Sequence, residues 1–270
     1  MMSPRDQDRD AAAGNPSERP TSTTAVDPVT DSGGKRSLVA AGVAAGVAAV
    51  LPSLVTLFYF VGLWDFPTWM QQVAYAGAKV VQFGFPLAWL IAVERRRPRW
   101  PRHWWMGIGE GVGFGALVLA GTLLLYHLWL GPWGVFEGPA AAMREKVAGM
   151  GIDTLAGYVA FALFVSLVHA LLEEYYYRWF LYGQLRRLMH PGLAVPLASV
   201  AFMAHHVIVL AMYFGWFSPW TWLFSAAVAI GGAYWAWLYE RTGSLMGPWL
   251  SHILADVAIF TVGYWLLGLG

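Results

Sequence analysis

The chain contains no cysteine, which removes disulfides, thiolate nucleophiles and cysteine-ligated zinc from consideration. Charge is scarce too. Asp, Glu, Lys and Arg make up 12% of the 270 residues and sum to a net +1, whereas a soluble domain usually carries about 25% charged residues. A sum so near zero, with the arginines in short clusters and no basic face, gives no case for a nucleic-acid partner. Several hydrolase signatures are also missing. No His-Glu-x-x-His pair and no Gly-x-Ser-x-Gly elbow occur, and Ser166, Ser199, Ser225 and Ser251 lack an evident base. An aspartic dyad would need a second core aspartate beside Asp256. What is present is apolar: 58% hydrophobic and 16% aromatic residues. The lipid bilayer is the solvent that such a composition suits.

Residues 1–37 are rich in Asp, Arg, Pro, Ser and Thr and read as a disordered tail. The first apolar run, beginning at Leu38, is too far along and too long for a cleavable signal and stays as a span. Stretches long enough to cross a bilayer run at about 38–62, 70–93, 105–130, 153–182, 193–214, 218–239 and 245–269. The expected fold class is therefore an all-α integral membrane protein, a bundle of about seven transmembrane helices over residues 38–270. Lys35 and Arg36, the cluster Arg95, Arg96, Arg97, Arg99 and Arg102, the pair Arg186 and Arg187, and Arg241 all fall on one side of that bundle. The positive-inside rule makes this side, and the tail, cytoplasmic. Residues 131–152 become an exposed loop on the opposite side with room for an interfacial helix.

Gly107, Gly111 and Gly115 recur every four residues at the start of the third span, a spacing that lets helix backbones approach closely. Gly42 and Gly46 in the first span read the same way. No strand precedes the third-span glycines, so a nucleotide-binding loop is not indicated, and no inverted pair of broken helices marks a transporter.

Ionisable side chains within a bilayer are costly, so each asks for a reason. They cluster. The fourth span carries His169, Glu173, Glu174 and Arg178, the fifth His205 and His206, and the seventh His252 and Asp256. At about 1.5 Å per residue, Glu173, His206 and His252 each lie roughly 16–20 Å from the cytoplasmic edge, as groups sharing one buried polar site would. Glu174 and Arg178 are four apart and can pair on one helix face, leaving Glu173, turned about 100° away, available for chemistry. By the same rule Phe202 shares a face with His206, and His205 points elsewhere. Lys79, Gln82, Glu110, His127 and His169 read as polar contacts between helices, although His169 stands four residues before Glu173 and could orient it. Tyr175, Tyr176 and Tyr177 read as packing and interfacial anchors.

Peptide hydrolysis in this setting needs a base for water and a donor for the oxyanion. Glu173 with His206 suits the first role, and His252 oriented by Asp256 the second. Alternatively, Glu173, His206 and His252 are ligands of one Zn²⁺ that activates the water. Spacing leaves both arrangements open.

The residues also resemble a known family. Glu173-Glu174-Tyr175-Tyr176-Tyr177-Arg178 is similar to a Glu-Glu-x-x-x-Arg motif, Phe202-Met203-Ala204-His205-His206 to Phe-x-x-x-His, and His252-Ile253-Leu254-Ala255-Asp256 to His-x-x-x-Asn/Asp. These are signatures of the CAAX protease and bacteriocin-processing (CPBP) family, which includes the Ras-converting CAAX endopeptidase, and the motif-bearing core covers about 150–262. The resemblance implies an intramembrane endopeptidase with Glu173 and His206 activating water and His252 and Asp256 at the oxyanion. Glu174 and Arg178 would support them, with or without a metal. Asp256 stands where the eukaryotic enzymes have Asn, and an ionised Asp cannot donate to an oxyanion, which favours an orienting or ligand role. The substrate would be a membrane-embedded or lipidated peptide, either of CAAX type or a leader or other membrane peptide, and the excess of Arg over Lys suits a microbial genome and hence a prokaryotic plasma membrane. Two other readings use the same buried charges: a non-catalytic scaffold or immunity protein of the same fold, and a proton-coupled transporter.

Overall fold

A computed structural model describes residues 29–63, 65–97 and 103–269. Among these residues every regular element is helical, and there are eight helices. They are α1 (Val29–Leu57, continued by a wider turn at Phe58–Gly62), α2 (Thr68–Ala92), α3 (Ile108–Leu130), α4 (Glu137–Gly149), α5 (Leu155–Leu188), α6 (Pro191–Phe214), α7 (Pro219–Thr242) and α8 (Met246–Leu267). Six of them are long and apolar enough to span a membrane. The protein is an integral membrane helical bundle.

The expected second span departs from the other six. At 25 residues α2 is long enough, but it carries Gln71, Gln72, Lys79 and Gln82, and these polar side chains keep it below the apolarity of its neighbours. A second difference lies at the start. Helix α1 begins at Val29, nine residues ahead of the apolar run, so residues 29–37 extend the helix where a disordered tail is expected; the first 28 residues, with Arg99 and Arg102, lie outside the described residues. The loop at 131–152 holds a 13-residue helix, α4.

Polar contacts sort the helix termini into two ends. Arg187 reaches Glu94 after α2 at 2.7 Å and the Ser37 hydroxyl of α1 at 2.7 Å, and Arg186 pairs with Glu240 of α7 at 3.1 Å. The start of α1 and the ends of α2, α5 and α7 therefore meet, as alternating spans require. At the other end, Arg144 of α4 donates to the Leu266 carbonyl of α8.

Small residues decide where helices touch, though only in part at the expected positions. On α1 it is Ala41, Ala44, Ala45 and Ala48 that are buried. Gly42 and Gly46 are exposed, with nothing within 4 Å of an added Cβ. On α3 the expectation holds for Gly111 and Gly115, whereas Gly107 precedes the helix at φ +80° and faces Leu238 and Thr242 of α7. Gly111 and Gly115 are buried against α8, where a Cβ on Gly111 would overlap the Gly247 backbone and one on Gly115 would lie 2.9 Å from the Ser251 Cα. This contact sets α8 in place one residue before His252. We expect Gly111→Ala to destabilise the protein by about 1–3 kcal/mol, the usual cost of overpacking. Gly113→Ala, with open space around it, serves as the control. Thermal unfolding in detergent separates the two, and equal midpoints would show that the α3–α8 contact does not bear on stability.

Candidate active site

Helix α5 carries the two glutamates between two widened turns, Phe164–His169 and Tyr175–Tyr182, each with a π-helical hydrogen-bonding pattern. Such turns expose carbonyls that need new partners in a bilayer. The Leu167 carbonyl obtains one from the Trp249 indole of α8 at 3.0 Å, which also ties the site's two main helices together.

Glu173 is buried and surrounded by three imidazoles. Its carboxylate oxygens lie 3.4 Å from His205 Nε2, 3.7 Å from His252 Nε2 and 3.9 Å from His169 Nδ1. Glu174, fully buried, takes the other nitrogen of the same imidazole, since His252 Nδ1 is 2.8 Å from Glu174 Oε1. Adjacent glutamates thus meet one histidine from its two sides. Arg178 closes the set at 3.1 Å from Glu174, its guanidinium lying over the rings of Phe202 (4.5 Å) and Trp235 (4.9 Å). The Trp235 ring stacks on His252 with centroids 4.3 Å apart and is pinned by donating to Ser251 Oγ at 2.9 Å. Gly232 leaves the room for this, because a Cβ there would stand 3.1 Å from Phe202 and 3.4 Å from the Arg178 guanidinium.

Hydrogen-bond partners fix proton positions on the imidazoles. A carboxylate already paired with Arg178 can only accept, so His252 Nδ1–H donates to Glu174 and Nε2 faces Glu173. A carbonyl can only accept, so His206 Nδ1–H donates to the Phe202 carbonyl (2.9 Å), which leaves Nε2 free. The Tyr177 hydroxyl is 2.9 Å from His205 Nδ1. When it donates there, His205 Nε2–H donates to Glu173.

Glu173, Glu174, Arg178 and His252 come together as expected, and Glu174 pairs with Arg178. Three expectations need correction. His205 does not point away: it is the fifth-span histidine in contact with Glu173, while His206 lies beside it with ring centroids 4.0 Å apart and planes tilted by 46°, and makes no contact with Glu173 within 4 Å. The reason is the rotation of α6 about its axis, which turns the Phe202 ring toward Arg178 and brings His205 to the carboxylate. Asp256 is not the closest orienting group of His252, being 3.9 Å from Nε2, whereas Glu174 lies 2.8 Å from Nδ1. Tyr177, read as packing, supports His205; its position four residues after Glu173 on the same face was the signal for it. Trp235 has no comparable signal in the sequence.

A zinc ion bound by Glu173, His206 and His252 would require those side chains to converge. Among the described residues no three His, Asp or Glu side chains form a group that could hold a metal ion, so the residues as placed do not fit that set.

Residues 155–258 match the family model described as Type II CAAX prenyl endopeptidase Rce1-like. That segment contains all three motifs, and the family resemblance read from them holds there, at the level of a membrane CAAX-type endopeptidase. No curated protein and no solved structure matches the chain.

Proposed function

We propose that the protein is an intramembrane endopeptidase that hydrolyses a peptide bond of a lipidated or membrane-embedded substrate, with Glu173 as the base. The observation that carries this reading is a buried carboxylate ringed by the imidazoles of His169, His205 and His252, with the other nitrogen of His205 held by Tyr177 and that of His252 by Glu174. A water between Glu173 and the free Nε2 of His206 gives a proton to Glu173 as its oxygen attacks the scissile carbonyl carbon. Once Glu173 has taken the proton it is a weaker acceptor, and the His205 Nε2–H that donated to it turns to the carbonyl oxygen where negative charge builds. His252, with Nδ1 fixed by Glu174 and Nε2 3.7 Å from Glu173, carries the proton from Glu173 to the leaving nitrogen as the C–N bond breaks. The products are a carboxylic acid and an amine. Asp256, near the same nitrogen, holds His252 during that transfer.

The test is cleavage of a prenylated CAAX peptide by the full chain in liposomes, followed by mass spectrometry, with and without a strong chelator. We expect one internal cut that proceeds at an unchanged rate after metal removal, since no step above uses a metal. A rate lost to the chelator and restored by Zn²⁺ would replace this mechanism with the zinc one. An intact peptide that nonetheless binds would point to a non-catalytic scaffold.

A further inference from the structure

At the end of the bundle opposite Arg186 and Arg187, an open cleft of about 370 Å³ lies between α3, α4 and α8, within the usual size of small-molecule sites, about 300–1,000 Å³. Its walls are the rings of Tyr126, Phe136 and Trp265 together with two charged side chains of α4, Glu137 and Arg144. Tyr126 stacks on Trp265 with ring centroids 5.5 Å apart and meets Phe136 at 5.9 Å, so the aromatic wall is continuous. Seven residues separate the two charges. They share one face of α4 about 10 Å apart along its axis, and among the described residues neither has an oppositely charged partner within 4 Å. Arg144 gives one N–H to the Leu266 carbonyl at 2.7 Å, which leaves the rest of its donors available. The Glu137 carboxylate lies 2.8 Å from where a Cβ on residue 134 would stand, and Gly134, at φ +65°, is what admits it. The level in the bilayer is marked as well. Trp129 and Trp133, on either side of the cleft residue Gly131, are exposed with ring centroids 5.0 Å apart, as indoles at the headgroup level are. Further into the span, Leu124, Leu125 and Leu128 of α3 are exposed as a lipid-facing surface.

We propose that this cleft binds the headgroup of a zwitterionic phospholipid bearing a primary ammonium, with the phosphate on Arg144 and the ammonium between Glu137 and the aromatic wall. A ligand that carries both charges spans the gap that keeps the two side chains from pairing. The phosphate takes charge-assisted hydrogen bonds from the guanidinium, and the ammonium meets a carboxylate and the faces of aromatic rings. An anionic headgroup with no cation of its own satisfies Arg144 alone and brings negative charge toward Glu137. The acyl chains lie along the exposed leucines of α3. A lipid so held bridges α4 to the end of α8, the helix that carries His252, and adds to the tie that Arg144 makes with Leu266. This binding site does not depend on the hydrolase reading of Glu173.

Short-chain phosphatidylethanolamine and phosphatidylglycerol with identical acyl chains serve as probes, titrated into the full chain in detergent and followed by native mass spectrometry. The wild type is expected to bind the ethanolamine lipid roughly fivefold more tightly, the upper scale of one exposed charge pair. Glu137→Gln removes an exposed carboxylate that supports no ion pair, so it should fold normally and bring the ratio of affinities near one. Arg144→Gln should weaken both lipids. A thermal midpoint raised by the ethanolamine lipid in the wild type, and raised less in Glu137→Gln, gives a second reading. Equal affinity for the two lipids in the wild type, or a preference that survives Glu137→Gln, would overturn the site. Soluble glycerophosphoethanolamine carries the same two charges without acyl chains, and binding as tight as that of the lipid would overturn the assignment to a membrane lipid.

Discussion

Glu173→Gln is expected to reduce peptide cleavage by at least about 10³-fold, within the range that a positioned general base supplies. The substitution keeps the shape of the side chain and its ability to accept from His205, but an amide oxygen cannot take up the proton of the attacking water. Folding should change little by comparison, because no cation depends on Glu173 for its pairing: the contacts at 3.4–3.9 Å are all to imidazoles. The measurement is product formation by the variant and the wild type at matched concentrations in liposomes, with size-exclusion profiles and thermal midpoints compared in detergent. A variant that unfolds normally yet cleaves within tenfold of wild type would remove Glu173 as the base and with it the mechanism. Glu174→Gln makes a useful companion. Its loss is expected to appear first in stability, through Arg178, so the adjacent carboxylates should separate into one that matters for rate and one that matters for folding.

Which parts of this architecture could be read from the sequence follows from the physics of a bilayer. Spans are legible because the need to satisfy every backbone group forces long apolar helices, and six of the seven expected ones meet that standard. The odd one, α2, is marked by Lys79 and three glutamines, and of these Lys79 lies over Phe83, which packs on His169 at the site. The depth of Glu173, His206 and His252 is legible because rise per residue is fixed. Rotation is not. In a soluble helix the polar face announces the solvent side, whereas in a bilayer lipid and core are both apolar and periodicity loses its reference. That is why the choice between His205 and His206 fell on the wrong neighbour for contact with Glu173, and why Gly42 and Gly46 of α1 turned out to face outward while the alanines face in. Pairs four residues apart on one helix survive this ambiguity, since they share a face whichever way the helix turns. Glu174 with Arg178 is the example that was read, and Glu173 with Tyr177 the one that was missed. Contacts between distant segments, such as Trp235 on His252 or Glu174 on His252, need the helices docked before they exist.

Arg178→Ala is expected to destabilise the protein by about 3–5 kcal/mol, the cost of leaving one partner of a buried ion pair uncompensated. Both side chains are almost fully buried, with Arg178 at 2% and Glu174 at 0% exposure, so solvent screening does not soften the loss. The substitution also empties the space against Phe202 and Trp235 that the guanidinium fills. Replacing both partners, as in Arg178→Met with Glu174→Leu, should recover a large part of that stability, because apolar residues of similar volume often substitute for a buried pair at little cost. It should not recover activity. Without Glu174, the His252 Nδ1–H loses its acceptor at 2.8 Å, and the imidazole is free to turn its Nε2 away from Glu173. Denaturation in detergent gives the first quantity and peptide cleavage the second. A double variant that is both stable and fully active would show that the Glu174–Arg178 pair neither orients His252 nor contributes to the chemistry. A stable but slow one would assign the pair two separable tasks: Arg178 holds Glu174 in place in the core, and Glu174 keeps His252 facing the base.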